Sequence, residues 1–327
     1  MDFVAIGDTV VDEFIQLKDA RVHCDINDSK CTITLPWGDK IPYESTEMIA
    51  GVGNAANAAV AASRLGLSSG FVSNIGIDRF GDEVLDALKK DGVDTTHITR
   101  HSNLPTNHHY VLMYEGERTI LIRHEAYLYK MPEGFESPKW IYLSSTGEES
   151  SAFHDDLATW LTAHPETKLA FQPGTFQIKM GRERLATLYA ATEVVACNKE
   201  EAERILGVGE TDIKELLGKM RDLGPKIALI TDGPKGAYAS DGNQMLKVPM
   251  YPDPKPPVDR TGAGDATTST FVVALALGKS FEEALLWGPV NSMAVVQEVG
   301  AQRGLLTREK LDGYVKRAPS EYVVTKL

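Results

Sequence analysis

Asp259-Arg260-Thr261-Gly262-Ala263-Gly264-Asp265, followed by an apolar run from Ala266 to Gly278, is the stretch around which the chain is organised. Three small residues in succession let a backbone turn sharply and pass close to a neighbour. The run behind them is long enough for about three helical turns and stops at a glycine. A helix that starts in such a turn aims free N–H groups and a positive dipole end at one spot, which suits a phosphate. Asp265 stands at the helix entrance and reads in two ways. It is placed to act as a general base, and Asp is also a favoured helix cap. The stretch by itself does not separate the two.

The rest of the 327 residues bounds the answer. At about 150 residues per domain, the length allows one large or two medium domains. Hydrophobic residues make up 43% and charged residues 24%, enough to bury a substantial core. The formal net charge of −12 is spread along the chain, which excludes nucleic acid and an anionic membrane surface as main partners. An anionic ligand must therefore be held by a local device: backbone amides, a metal or a few placed cations. Three cysteines, Cys24, Cys31 and Cys197, lack metal-ligand spacing and point to a reducing compartment without a disulfide framework, Cys24 and Cys31 pairing only if neighbouring strands align them. The N-terminal residues lack the basic and long apolar regions of a signal peptide, and no apolar stretch approaches the roughly 18 residues of a membrane span. The expected location is the cytoplasm.

Phe3 to Ile6 is a short apolar strand broken at Gly7-Asp8, a common start for a parallel α/β sheet. It puts Asp12 near a strand's carboxyl end, where open α/β sheets bind ligands, although a turn aspartate is the plainer reading of Asp12 alone. Residues 13–46 differ: Phe14 to Leu17, Arg21 to Cys24, Cys31 to Leu35 and Lys40 to Tyr43 read as short strands separated by Asn27-Asp28-Ser29 and Pro36-Trp37-Gly38-Asp39. A second β-rich stretch, Asn107 to Arg123, folds at Glu115-Gly116-Glu117 and pairs with the first as one small sheet. His108, His109, Arg118 and Arg123 lie on it; such residues usually face solvent, but two of them converging would imply an anionic substrate. Trp37, Tyr110 and Tyr114 read as packing of that sheet. Elsewhere Gly70 to Ile75, Trp140 to Ser144, Leu169 to Phe171, Val194 to Cys197 and Ile227 to Thr231 alternate with helical patterns, which predicts βαβ units and a parallel sheet.

One motif points to another chemistry. Gly51-Val52-Gly53-Asn54-Ala55-Ala56 fits the dinucleotide fingerprint G-x-G-x-x-A, which requires a strand just before it. Tyr43 to Met48 is too polar for a buried parallel strand, which argues against a nicotinamide oxidoreductase.

The Gly53…Asn57…Gly66…Gly76 spacing and the stretch Asp259–Asp265 together resemble the two signatures of the ribokinase, or PfkB, family of carbohydrate kinases, over nearly the whole chain. Asn198-Lys199-Glu200-Glu201 is similar to the family's N-x-x-E element, and Thr231-Asp232-Gly233-Pro234-Lys235-Gly236 resembles its nucleotide-contacting loop. The resemblance implies a three-layer α/β/α core with a mainly parallel sheet (1–12, 47–105 and 126–327) and a small β-sheet lid (13–46 and 106–125). It implies Asp265 as the base, the amides of Gly262, Ala263 and Gly264 as an anion hole, and Asp12, Gly53, Asn54 and Asn57 around the sugar. Asn198, Glu201, Thr231, Gly233 and Gly236 would meet the nucleotide, the first two also meeting Mg²⁺ through water. Asp259 and Thr261 would fit a K⁺ site.

Some residues depart from the pattern. Val52 replaces the first of two glycines, Arg260 a small or hydroxyl residue, Thr267 and Thr270 an aromatic and a small residue. Gly304 stands where some relatives offer a serine to a monovalent cation. The expected activity is an ATP- and Mg²⁺-dependent kinase acting on a small sugar, with K⁺ as a further cofactor and a homodimer formed through the lid. A nucleoside kinase or sugar-phosphate kinase of the same fold competes with it. A non-catalytic binding homologue fits less well, because loss of the aspartate would be its mark.

Overall fold

The structure, a computed structural model, describes residues 1–24, 31–115 and 117–327. The turn at Asn27-Asp28-Ser29 and Gly116 of the second hairpin lie outside them. The strands are β1 Phe3–Ile6, β2 Val10–Leu17, β3 Arg21–Cys24, β4 Cys31–Thr34, β5 Tyr43–Val52, β6 Ser69–Gly76, β7 Ile98–His101 and β8 His108–Tyr114. After them come β9 Glu117–Leu121, β10 Trp140–Leu143, β11 Lys168–Phe171, β12 Thr192–Asn198, β13 Ile227–Thr231, β14 Ala237–Ser240, β15 Met245–Val248 and β16 Thr325–Lys326. The helices are α1 Asn54–Arg64, α2 Arg79–Lys90, α3 Ser151–Ala163, α4 Thr175–Met180, α5 Ala186–Ala190, α6 Lys199–Leu206, α7 Ile213–Asp222, α8 Ala263–Ala276, α9 Phe281–Val295 and α10 Arg308–Lys316.

The main sheet runs β7-β6-β1-β10-β11-β12-β13 in parallel and continues antiparallel through β14, β15 and β16. Its central strands, β1 and β10 among them, are buried along their whole length, and the period of two splits their side chains between two cores. Phe3 and Ala5 join Trp140 and Tyr142 on one side, under α1, α8 and α9. Val4 and Ile6 join Ile141 and Leu143 on the other, under α3, α6 and α7. This is the three-layer arrangement that the family resemblance implies, around the parallel sheet that the alternation of strands and helices predicts.

Small side chains let the first helix layer come close. Ala55 to Ala62 of α1 are buried almost without exception, and α8 is buried from Ala266 to Ala274. Within α8 the two departures from the family pattern find packing partners. Gly288 of α9 leaves no room for a Cβ beside Thr267, and Asn291 donates to the Thr270 hydroxyl at 2.8 Å. Phe271, fully buried in the same helix, would cost about 3–5 kcal/mol on truncation to alanine.

A second, four-stranded sheet has the order β5-β2-β8-β9. Its roots are apolar and buried at Val10, Val11 and Val52, while β9 is exposed along its length. Here β5 corrects the sequence reading: the polar stretch before Gly53 is a strand. It pairs antiparallel with β2 and is solvated for most of its length, so it needs no apolar run. The strand before the G-x-G-x-x-A stretch therefore exists but lies outside the parallel sheet that a dinucleotide fold requires. Lys40, Ile41 and Pro42 are not in a strand. Trp37 is fully exposed and packs nothing.

The expectation of no disulfide also fails. β3 and β4 pair antiparallel with Cys24 directly opposite Cys31, their Cα atoms 4.0 Å apart, and the two are bonded. The spacing alone did not reveal that a hairpin would align them. Cys197 is the free, buried thiol. Among the described residues no helix is long and apolar enough to cross a membrane.

Candidate active site

The carboxyl ends of the parallel strands deliver the site, as the geometry of open α/β sheets requires. Asp8 follows β1, Ser145 follows β10, Gln172 follows β11, and Asn198 and Thr231 end β12 and β13. Facing them is the N-terminus of α8. Gly262 caps it in a left-handed conformation at φ 78°, and a Cβ there would collide with Ala301, so glycine is required on two counts. Among the described residues the amides of Gly262 and Gly264 have no protein acceptor, while Ala263 donates weakly to the Arg260 carbonyl at 3.4 Å. An anion placed here would meet unsatisfied N–H groups and the positive end of the helix.

Asp265 lies one turn in. Its Oδ1 accepts from Asn54 Nδ2 at 3.0 Å and Gln172 Nε2 at 3.0 Å; its Oδ2 accepts from Asn57 Nδ2 at 2.9 Å. It is therefore no cap: Gly262 holds the cap position, no side chain caps the helix, and the Asp265 carboxylate is aimed by three amides, two from α1 and one from the end of β11. Burial pushes its pKa above the usual carboxylate range, and the three donors, Asn57 foremost, oppose that shift without cancelling it. Asn54 and Asn57, expected around the sugar, thus also hold Asp265.

Two cavities meet at this helix end. One, of about 330 Å³, is lined by Asp8, Asp12, Gly53, Asn54, Asn57 and Asp265, with Thr261 and Gly262 at its floor. Gly53 is needed there because a Cβ would stand 2.9 Å from the Asp8 carbonyl oxygen. The other, of about 360 Å³, is lined by Thr231, Gly233, Gly236, Arg260, Ala263, Gly264 and Thr267. The wall between them is the turn from Arg260 to Asp265.

The structure brings Asp12, Gly53, Asn54, Asn57, Gly262 and Asp265 together in the first cavity, and Thr231, Gly233, Gly236, Ala263 and Gly264 in the second. Asn198 and Glu201 line neither. They form a reciprocal cap on α6, Asn198 N donating to Glu201 Oε2 at 2.9 Å and Glu201 N to Asn198 Oδ1 at 2.8 Å. Asn198 stands beside Thr231 in the sheet register. Burial pushes the Glu201 carboxyl up, and the charge of Asp265 adds to it. No cluster of three or more metal-ligating side chains exists among the described residues. That fits a Mg²⁺ held mostly by phosphates and water, with at most one or two carboxylates.

Asp259 and Thr261, expected at a K⁺ site, are bonded to each other and to the loop that follows α9. Oδ1 of Asp259 accepts from the Thr261 amide at 2.9 Å and hydroxyl at 2.7 Å, and Oδ2 from the Gly300 amide at 2.9 Å. The Arg118 guanidinium lies 4.0 Å from Oδ1, so a cation already faces this buried carboxylate. Asp259 staples the loop that carries the glycine turn.

The lid cations do not converge. His108 pairs with Glu13 at 3.2 Å, Arg123 with Glu125 at 2.8 Å, and Arg118 faces Asp259. Of the four, His109 alone lines the first cavity, where solvent exposure was expected instead. Its Nδ1 is 3.4 Å from Asp12 Oδ1. Sequence reading missed Asp8, Gln172 and His124. Asp8 accepts from the Tyr129 hydroxyl at 2.7 Å and faces His124 Nδ1 at 3.0 Å. Asp8 and Gln172 each closely follow a parallel strand, and that position was the signal available for them. A third cavity of about 310 Å³, lined by Asn74, His97 and His101 among others, lies away from Asp265.

Comparison with known proteins places the chain in a family. The model of the pfkB family carbohydrate kinase matches residues 32–308. The ribokinase of Bacillus subtilis is 28% identical over 282 residues, spanning 84% of this chain and 90% of the relative. An ATP-dependent 6-phosphofructokinase of Thermoanaerobacterium thermosaccharolyticum is 25% identical, spanning 82% and 85%. The structure of Arabidopsis thaliana ribokinase with ribose and ATP superposes with a TM-score of 0.80 at 22% identity, covering 96% of this chain and 98% of that one. The nucleoside kinase of Methanocaldococcus jannaschii gives 0.78 at 20% identity, covering 97% and 99%. The chain belongs to the pfkB family of carbohydrate kinases, phosphotransferases that act on a hydroxyl of a sugar.

Proposed function

We propose that this chain transfers the γ-phosphoryl group of ATP to a hydroxyl of a small, neutral sugar, with Asp265 as general base. The observation that carries the reading is that Asp265 lines the first cavity while its neighbour Gly264 lines the second. A sugar in the Asp12 cavity would lay a hydroxyl against this carboxylate. A nucleotide in the Thr231 cavity would bring its terminal phosphate to the amides of Gly262, Ala263 and Gly264.

Phosphoryl transfer needs positioning and charge stabilisation more than covalent chemistry. The helix end supplies fixed N–H dipoles to the charge on the transferred group. Asp265 takes the proton of the attacking hydroxyl, and its raised pKa makes it a better base than an ordinary aspartate. Mg²⁺ bound to the phosphates would supply further charge neutralisation, with Asn198 and Glu201 meeting it through water. Arg260, which shares the nucleotide cavity with Asp253, is the side chain we assign to the phosphates.

The acceptor is neutral because its cavity carries three carboxylates, Asp8, Asp12 and Asp265, against two imidazoles, His109 and His124. A second reading, a nucleoside acceptor, is favoured by Phe176, Ile120 and Ile122, which give one side of the same cavity an apolar wall. We read the four-stranded sheet of Val10–Leu17, Tyr43–Val52, His108–Tyr114 and Glu117–Leu121, which the separate β3–β4 hairpin does not join, as a lid that excludes water during transfer. Its edges β5 and β9 are open, and open edges invite pairing with a second copy of the chain. Sedimentation at micromolar concentration tests this; a monomer rejects the dimer.

ADP release over a panel of pentoses, hexoses, sugar phosphates and nucleosides, with ATP and Mg²⁺, tests the function. Turnover confined to neutral sugars supports the leading reading. Preference for nucleosides supports the second, and turnover confined to sugar phosphates overturns the charge argument.

A further inference from the structure

His109 is a polar side chain in an unusual position on the lid. Its side chain is 12% exposed, and Nε2 is buried with no hydrogen-bond partner among the described residues. Leaving such an atom unpaired in a folded protein costs free energy, and buried ring nitrogens are normally satisfied. The other nitrogen is accounted for: Nδ1 faces Asp12 Oδ1 at 3.4 Å. A carboxylate only accepts, so Asp12 favours a proton on the nitrogen that faces it, and a neutral ring with its proton on Nδ1 presents Nε2 as an acceptor. The ring also stands 5.2 Å from that of His124, whose Nδ1 faces Asp8, so its orientation is fixed from two sides. The register of β2 with β8 sets Asp12 directly beside His109. The same ring lines the cavity that holds Asp12, Asn57 and Asp265.

We infer that His109 is a specificity-determining residue for the acceptor: Nε2 accepts a hydrogen bond from a sugar hydroxyl other than the one phosphorylated. This rests on the kinase reading above and deepens it. Asp12 takes part twice, as an acceptor in the cavity and as the group that orients the imidazole. A bound sugar carrying the matching hydroxyl removes the unpaired atom; a sugar lacking it leaves Nε2 buried and unsatisfied. The site therefore rejects the deoxy analogue by a penalty already built into the free protein.

The test measures kcat/KM for the best sugar and for each of its monodeoxy analogues in the full chain, His109→Phe and His109→Gln. Wild type discriminates against one analogue by about 10- to 100-fold. His109→Phe keeps a ring without the acceptor and loses that discrimination while preserving the ranking of the other analogues. His109→Gln, whose Oε1 reaches a similar place, restores part of it. Equal losses on every analogue in both variants, with the wild-type preference intact, would mean that His109 only packs the lid and would overturn the inference. Absence of ADP release by wild type with every sugar of the panel would instead overturn the kinase reading itself, and the inference with it.

Discussion

Gln172 Nε2 donates to Asp265 Oδ1 at 3.0 Å, while its own Oε1 accepts from the Tyr142 hydroxyl at 2.6 Å. Tyr142 in turn shares a 3.0 Å contact with Thr268, one turn beyond Asp265 in α8. The amide therefore joins the sheet to Asp265 and cannot flip without losing both bonds.

Gln172→Met keeps the length of the side chain and removes the donor. Amide donation to a carboxylate favours its charged form, so its loss raises the Asp265 pKa further. The acid limb of the kcat/KM profile moves to higher pH, and stability falls by about 1–3 kcal/mol from the unpaired Tyr142 hydroxyl and the freed carboxylate. An unshifted limb would separate Gln172 from the base.

Much of this was legible in the chain. Phe3 to Ile6, the alternating runs after Gly70 and the glycine turn before Ala266 follow local periodicity and turn chemistry, which a sequence carries openly. The reach from Asn57 to Asp265 was available only through the family resemblance. The positions of Gln172 and Asp8 depend on which strand ends converge, and the pairing of Cys24 with Cys31 on how a hairpin aligns. β5 was missed because an edge strand solvated on its faces needs no apolar run, so Tyr43 to Met48 hid it.

His154 on α3 is buried, and burial lowers its pKa to about 4. A histidine depressed below its unfolded value contributes stability above about pH 6.5 that is lost as pH falls towards 4. Relative to His154→Phe, wild type should lose up to about 3 kcal/mol across that window. Chemical denaturation at stepped pH reads the difference, and parallel curves for the two proteins would refute it.

The two glycines of the turn should respond oppositely. Gly262→Ala places a side chain at φ 78° against Ala301 and should cost at least about 1–2 kcal/mol, with a fall in kcat as the amides move. Gly264→Ala meets no protein atom within 4 Å and sits in a helix, so the fold gains up to about 1 kcal/mol. Because its methyl enters the nucleotide cavity, KM for ATP should nevertheless rise. Melting temperature and ATP saturation curves check both; equal responses would misplace the phosphate.

The most direct measurement is the steady-state ADP release of Asp265→Asn with the best neutral sugar, alongside its affinity for ATP. Asparagine keeps the size of the side chain and cannot take the hydroxyl proton. The account predicts a kcat lower by about 10²- to 10⁴-fold with ATP affinity close to wild type. Turnover within a few-fold of wild type would contradict it and remove Asp265 from the role of base.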